Sequence, residues 1–344
     1  MPFTYIIVFA VAFFAVLFSF RHAKKFLFRI GIRAIDQQKK NKPILPTSAG
    51  IIVLAGLLAG VFFFIGLNSF FLKIPINLSL IFAASFSIFI ITFIGFLDDI
   101  NISPVMKKDK GLKDYRLGLK QWQKPLLVIP AAIPLMAVRA GVTEMALPFI
   151  GVVNFGIIYP LLLIPLAVVF VTNSTNMLAG MNGLEAGLGF VATASIGVYA
   201  IFAGRPEAAI IALSAAGALG AILIFNWNPA KILPGDSLTF LTGAAIVSSI
   251  IIGNMERFGV FIFTIWILEF ILKARSRFKA RTLGNLNSKG VLEPPYKKIY
   301  SLIHVVMSFR RFNEKQITSI LILIEIIICA AVLAVYLPFL GAIV

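Results

Sequence analysis

SLIFAASFSIFIITFIGFLDD, residues Ser79 to Asp99, carries no charged side chain until its last two positions, which are adjacent acids. An apolar helical run of roughly 18–20 residues, rising about 1.5 Å per residue, can cross a hydrocarbon core about 30 Å thick. Such runs recur along the whole chain, and we read them at 3–20, 48–66, 79–97, 125–139, 155–172, 187–203, 206–226, 237–254, 257–273 and 317–336. The fourth is short, and Pro125, Pro130 and Pro134 distort it. Segment 142–158 is apolar and reads as an external hairpin or a re-entrant piece. The expected fold is all-α: a polytopic membrane protein of about ten transmembrane helices.

Composition agrees with this reading. Of 344 residues 60% are apolar and only 13% charged, and the mean hydropathy is +0.98. A soluble domain carries about 25% charged residues, so residues 1–344 read as one transmembrane domain. A net charge of +17 suggests nucleic acid in a soluble protein. In a membrane protein, basic residues mark loops that face anionic headgroups, and no nucleic-acid partner is expected. The single cysteine, Cys329, lies in an apolar run, which excludes an intrachain disulfide. Two histidines, His22 and His304, are too few for a histidine-rich metal site. Arg21, Lys24 and Lys25 follow the first apolar run instead of preceding it, so that run reads as a retained helix and not a signal peptide.

The basic residues also give an orientation. Loops at 21–47, 98–124, 173–186, 227–236 and 273–316 carry 8, 7, 0, 1 and 11 Lys and Arg, 27 of the chain's 31. Lys73, Arg139, Arg205 and Arg257 fall on the other side. This places the first set of loops in the cytosol and both termini outside, as expected for a cell-membrane protein whose chemistry faces the cytosol.

Every notable polar cluster lies on that basic side. The third run ends in Gly95-Phe96-Leu97-Asp98-Asp99; the fifth leads into Thr172–Glu185, rich in Asn and Gly; the seventh leads into Phe225-Asn226-Trp227-Asn228-Pro229 and Pro234-Gly235-Asp236. Acids are rare in such a chain, and one at membrane depth is a functional candidate. Asp98 and Asp99 are either a helix end reaching water or two separate ligands, since adjacent helical side chains diverge by about 100°. Asp236 is either the N-cap of its helix or a ligand for Mg²⁺, which takes oxygen donors, commonly one or two carboxylates plus substrate phosphates. Asn176, an amide oxygen donor, completes such a set. Lys124 reads as an interfacial lysine or a phosphate clamp. The Asn/Gly segment is a pliable turn, or a loop whose backbone approaches a nucleotide closely. Glu269 and Glu325, inside apolar runs, receive no role. Together the clusters describe a magnesium–diphosphate site open to cytosol and bilayer.

These segments, with Pro46-Thr47-Ser48-Ala49-Gly50 at the second run, resemble the polyprenyl-phosphate N-acetylhexosamine-1-phosphate transferases over nearly the whole chain. The stretch Asn176-Met177-Leu178-Ala179-Gly180-Met181-Asn182-Gly183-Leu184-Glu185-Ala186-Gly187 is most similar to the eukaryotic branch that uses UDP-GlcNAc and dolichyl phosphate. The resemblance implies ten helices with outside termini, and transfer of GlcNAc-1-phosphate from UDP-GlcNAc to a polyprenyl or dolichyl phosphate with release of UMP. That reaction opens lipid-linked oligosaccharide assembly for protein glycosylation. It further implies Mg²⁺, with Mn²⁺ as an alternative, on Asp236 and Asn176. Lys124 would bind phosphate, while Asp98 and Asp99 would bind or activate the lipid phosphate. Asn182 and Gly180 would contact uridine, Asn173 and Glu185 would add substrate contacts, and Arg277 and Lys279 would lie near the diphosphate or sugar. It leaves room for a homodimer. The chain departs from the eukaryotic pattern at Leu233, where an aromatic is usual, and at Thr47, where Glu is usual. It lacks the triple histidine of the peptidoglycan branch, and no long insertion appears late in the last loop, which points to a prokaryotic member, with the archaea as the favoured source. The alternatives are a related transferase for another UDP-sugar and an anionic-solute transporter. The acids with chemical potential gather on one face, whereas a transport path should show polar residues through the midplane, which argues against the second.

Overall fold

The computed structural model describes residues 2–107, 111–116, 119–147 and 151–340; part of the loop expected at 98–124, residues 108–110 and 117–118, lies outside them. Among the described residues eight helices are long and apolar enough to cross a membrane. They are α1 (Pro2–Arg29), α2 (Ala49–Leu67, prolonged by a π-turn Asn68–Leu72), α3 (Leu78–Asp99), α6 (Ile164–Met177, preceded by a π-turn Tyr159–Leu163), α7 (Leu184–Phe202), α8 (Pro206–Asn226), α9 (Gly235–Gly253) and α13 (Glu314–Leu340).

The two other expected spans take different forms. The fourth is a short apolar rod, Gln123–Ala137, made of α4 (Gln123–Val128), a 3-10 turn (Ile129–Ala132) and α5 (Ile133–Ala137). Pro130 and Pro134 lack the amide protons a continuous α-helix needs, and such a rod reaches only roughly 22 Å. The ninth is split into α10 (Glu256–Ile262) and α11 (Thr264–Ala274) at Phe263, whose ψ of 7° leaves the helical region.

Boundaries shift where solvent takes over. Helix α1 runs past the expected end at 20, through Arg21, Lys24 and Lys25 to Arg29, because Lys and Arg are good helix formers. The shortened loop closes in a hairpin of β1 (Arg33–Ile35) with β2 (Ile44–Pro46). Within 142–158 the backbone is also a hairpin, Glu144–Leu147 against Gly151–Asn154. A final short helix, α12 (Leu302–Phe309), lies in the last basic loop.

Helix α9 is the axis of the bundle. Of its apolar stretch 89% is buried, against 17% for Glu314–Pro338 at the periphery. It packs on α2, α3, α6, α7 and α8. Within lipid, helices associate by close packing, which small residues permit. At Gly95 of α3 an added Cβ would stand 2.6 Å from the Asp236 carbonyl oxygen and 2.7 Å from Ser237 Cα. The Asp98-Asp99 end of α3 is therefore pressed against the first turn of α9. The opposite face of α3 turns the rings of Phe82, Phe86, Phe89 and Phe93 outward, as a lipid-facing stripe requires.

Candidate active site

Where α3 meets α9, the two adjacent acids do divide their work. Asp99 is buried and accepts two backbone amides of α9, from Asp236 N to Oδ1 at 2.7 Å and from Ser237 N to Oδ2 at 3.1 Å. First-turn amides have no partner inside their own helix, so Asp99 caps α9 from a neighbouring helix. The approach is possible because Gly235, at φ 71°, has no side chain to meet the Asp99 carboxylate. Both Asp99 oxygens are taken by α9. Asp98 faces the other way: Oδ1 accepts from Leu119 N at 2.6 Å, and Oδ2 from Lys124 Nζ at 2.9 Å.

Lys124, at the start of the short fourth rod, also donates to Asp236 Oδ2 and so bridges the two carboxylates. Asp236 does not cap its own helix; Asp99 does that, and the Asp236 side chain turns toward Lys124 and Asn176. Asn176 Nδ2 lies 3.2 Å from Asp236 Oδ2, and its Oδ1 accepts from Thr239 Oγ1 at 3.0 Å. Thr239, one turn along α9, was not singled out in the sequence.

A cavity of about 150 Å³ opens beside this cluster. Asp99, Asn176, Asp236 and Thr239 line one end, and Gly180, Asn182 and Glu185 the other. Asp36, Gln37 and Thr47 from the first basic loop form a wall, with Leu233 and Leu283 closing it. The sequence reading passed over Asp36 and Gln37. A lone acid in a loop of eight basic residues was the available signal.

The loop between α6 and α7 is braced from several sides. Glu185 Oε1 accepts from Gly180 N at 2.6 Å, while its buried Oε2 has no partner among the described residues. Asn182 donates its backbone N–H to Glu314 Oε1 at 2.8 Å and its Nδ2 to Asp36 Oδ2 at 2.9 Å. Glu314, the first residue of α13, also receives Lys39 Nζ and the Asn228 side-chain amide, the latter at 3.2 Å. One carboxylate thus ties together three loops and the last helix.

Three expected site residues stand apart from the cavity. Asn173 spends its Nδ2 on Val169 O, one turn back in α6, at 2.8 Å. Arg277 and Lys279 are exposed in the turn after α11. That loop instead sends in Leu283, and its footing is buried. Lys273 Nζ binds Ala280 O at 3.0 Å and Thr282 Oγ1 at 2.6 Å, and Thr282 Oγ1 reaches Met177 O at 3.2 Å. His304 Nε2 lies 3.1 Å from Thr282 O, and burial together with the nearby Lys273 charge holds its imidazole below the usual range. Glu269 caps α12 by accepting Leu302 N at 2.7 Å, and Glu325 accepts Cys329 Sγ at 3.4 Å.

A magnesium ion fits the donor set. Among the described residues no three Asp, Glu, His or Cys side chains form a complete cage. Mg²⁺ sites shared with phosphates use one or two carboxylates. Asp236 offers a carboxylate and Asn176 a carboxamide, and a positive group, the Lys124 ammonium, already lies between Asp98 and Asp236. For Asn176 to ligate through Oδ1, its carboxamide turns over.

The family model for glycosyl transferase family 4 matches residues 81–254, the stretch from α3 through α9 that carries most of this cluster. A Saccharolobus solfataricus protein bearing the provisional name UDP-N-acetylglucosamine–dolichyl-phosphate N-acetylglucosaminephosphotransferase is 35% identical over 92% of this chain and 90% of its own. The chain belongs to glycosyl transferase family 4. Other relatives carry two different names. The UDP-N-acetylglucosamine–dolichyl-phosphate N-acetylglucosaminephosphotransferase of Dictyostelium discoideum is 27% identical over 72% of this chain and 66% of its own. A phospho-N-acetylmuramoyl-pentapeptide-transferase of Clostridium perfringens is 28% identical over 69% of this chain and 70% of its own.

Proposed function

We propose that this family 4 enzyme transfers GlcNAc-1-phosphate from UDP-GlcNAc to a polyprenyl phosphate of the dolichyl type, on the cytosolic side of the cell membrane, with Mg²⁺ as cofactor. The observation that carries the reading is the Asp98–Lys124–Asp236 bridge, set where apolar helices end and beside a polar cavity. The names of the Saccharolobus and Dictyostelium relatives support the donor and acceptor. His304, committed to Thr282 O in a buried position, speaks against a histidine-dependent muramoyl-pentapeptide donor.

Two polyanions, a lipid phosphate and a nucleotide diphosphate, repel one another, and the site's cations offset that repulsion. An oxygen of the lipid phosphate attacks the phosphorus that bears the sugar. The bond from that phosphorus to the bridging oxygen breaks, and UMP leaves with that oxygen on its own phosphate. Bound Mg²⁺ would supply charge stabilisation on the diphosphate, held by Asp236 and Asn176. Asp98 keeps the Lys124 ammonium between the acceptor and donor ends, and Asp99 holds the α9 terminus that presents Asp236. Positioning supplies much of the remaining rate.

Asp236→Asn tests this. It preserves shape while removing one charge from the clamp, so folding should be near normal and UMP release should fall by roughly 100-fold or more. Mg²⁺-dependent thermal stabilisation by UDP-GlcNAc should vanish. Wild-type turnover with Mg²⁺-dependent stabilisation intact would overturn the assignment. Turnover of UDP-glucose or UDP-MurNAc-pentapeptide without turnover of UDP-GlcNAc would overturn the donor.

A further inference from the structure

Asn182 lines the cavity with little of its hydrogen-bonding capacity uncommitted. Its backbone N–H goes to Glu314 at 2.8 Å, its backbone carbonyl accepts from Thr318 Oγ1 at 3.3 Å, and its Nδ2 goes to Asp36 at 2.9 Å. Oδ1 and the second Nδ2 proton have no partner among the described residues. A carboxamide by itself can turn over and exchange its donor for its acceptor. Here it cannot, because an ionised carboxylate only accepts, so the face of Asn182 turned to Asp36 must be the NH₂. Lys39, with Nζ 3.7 Å from Asp36 Oδ2, supplies the matching positive charge. Asp36 is itself buried and anchored by its own N–H to Pro43 O at 2.9 Å.

An acceptor of fixed sense in a nucleotide cavity selects among bases. Uracil carries an imide N3–H, which such an oxygen accepts; cytosine has an acceptor at N3, and the two lone pairs repel. We propose that Asp36 is a positioning residue for base specificity: it holds Asn182 Oδ1 toward the cavity, so that the site takes uridine and rejects cytidine nucleotides. The inference rests on the nucleotide-sugar reading above. Lys39 completes the device beside Asp36, whereas Glu314 holds only the Asn182 backbone. A purely structural role for Asp36 predicts something different, namely equal losses for every nucleotide.

The test is inhibition of UMP release from UDP-GlcNAc by UMP, CMP and N3-methyl-UMP, using the purified full-length protein. The wild type should favour UMP over both analogues by roughly 10- to 100-fold, the discrimination one base-edge contact provides. In Asp36→Asn the new carboxamide can donate or accept, which frees Asn182 to turn. UMP should then bind more weakly, CMP more tightly, and the ratio fall to within about threefold. Asp36→Glu should restore the preference, and Glu314→Gln, which leaves the Asp36–Asn182 contact in place, should keep it. N3-methyl-UMP needs no variant and reads the same contact if Asp36→Asn fails to fold. Equal binding of UMP and N3-methyl-UMP by the wild type overturns the proposal, as does an Asp36→Asn protein that loses affinity for UMP and CMP alike. If the wild type turns over UDP-GlcNAc without base preference, only this inference falls. If it neither binds nor releases any uridine nucleotide, the functional reading falls with it.

Discussion

Asp99→Asn separates a residue that holds the site from one that performs the reaction. The carboxylate accepts two α9 amides at 2.7 and 3.1 Å in a fully buried position. A hydrogen bond to a charged group contributes roughly 1.5–3 kcal/mol, and a negative charge at a helix N-terminus about 1–2 kcal/mol when partly buried. Asparagine keeps one acceptor and turns an NH₂ against the other amide. We expect the hold on the α9 terminus to weaken by about 2–4 kcal/mol, which is roughly 30- to 700-fold in the population of the assembled arrangement. Since Asp236 is the residue being held, the loss should appear in metal dependence. UMP release at low Mg²⁺ should fall by tens to hundreds of fold and recover in part as Mg²⁺ is raised. The KM for polyprenyl phosphate should stay within about threefold, because Asp98 and Lys124 remain paired. Turnover that collapses while Mg²⁺ half-saturation is unchanged would refute this reasoning and return Asp99 to direct work on the lipid phosphate.

Gly95→Ala should displace α3 from α9, since the new Cβ meets backbone at 2.6 Å, and overpacking costs about 1–3 kcal/mol; turnover should fall at least about tenfold, whereas Gly66→Ala, with nothing within 4 Å, should leave it unchanged in the same assay. Cysteines placed singly at Asn287 and Arg205 in a Cys329→Ser background should be labelled from opposite sides of the membrane, and labelling of both from outside would refute the orientation read from the basic loops.

The spans were legible because hydrophobic length is a local property. All eight long helices fall on expected runs, and the prolines that mark the fourth segment do break it into two short helices. The split at Phe263 was not legible, since Glu256–Ala274 holds no proline and its one glycine, Gly259, lies a turn before the break. At the site, Asp98, Lys124, Asn176 and Asp236 converge as their chemistry suggested. Asp99 shows the limit: its backbone partners on α9 lie 137 and 138 positions away, and no reading of side-chain types announces a carboxylate that serves another helix's amides. Asp36 is the same lesson in a loop, because its partner Asn182 is 146 positions distant.

Glu314 carries a consequence for how the molecule comes to be made. The cavity draws on residues from Ala34 to Leu283, so its whole wall precedes in the chain the carboxylate that fastens three of its loops and opens α13. A nascent chain stalled before that helix would hold nearly all the reacting groups with its nucleotide loops untied. Assembly thus carries an order: the three loops are expected to lock only once α13 has entered the bilayer and brought Glu314 to them. A separately supplied α13 segment is the natural piece with which to test whether such a fragment can be switched on.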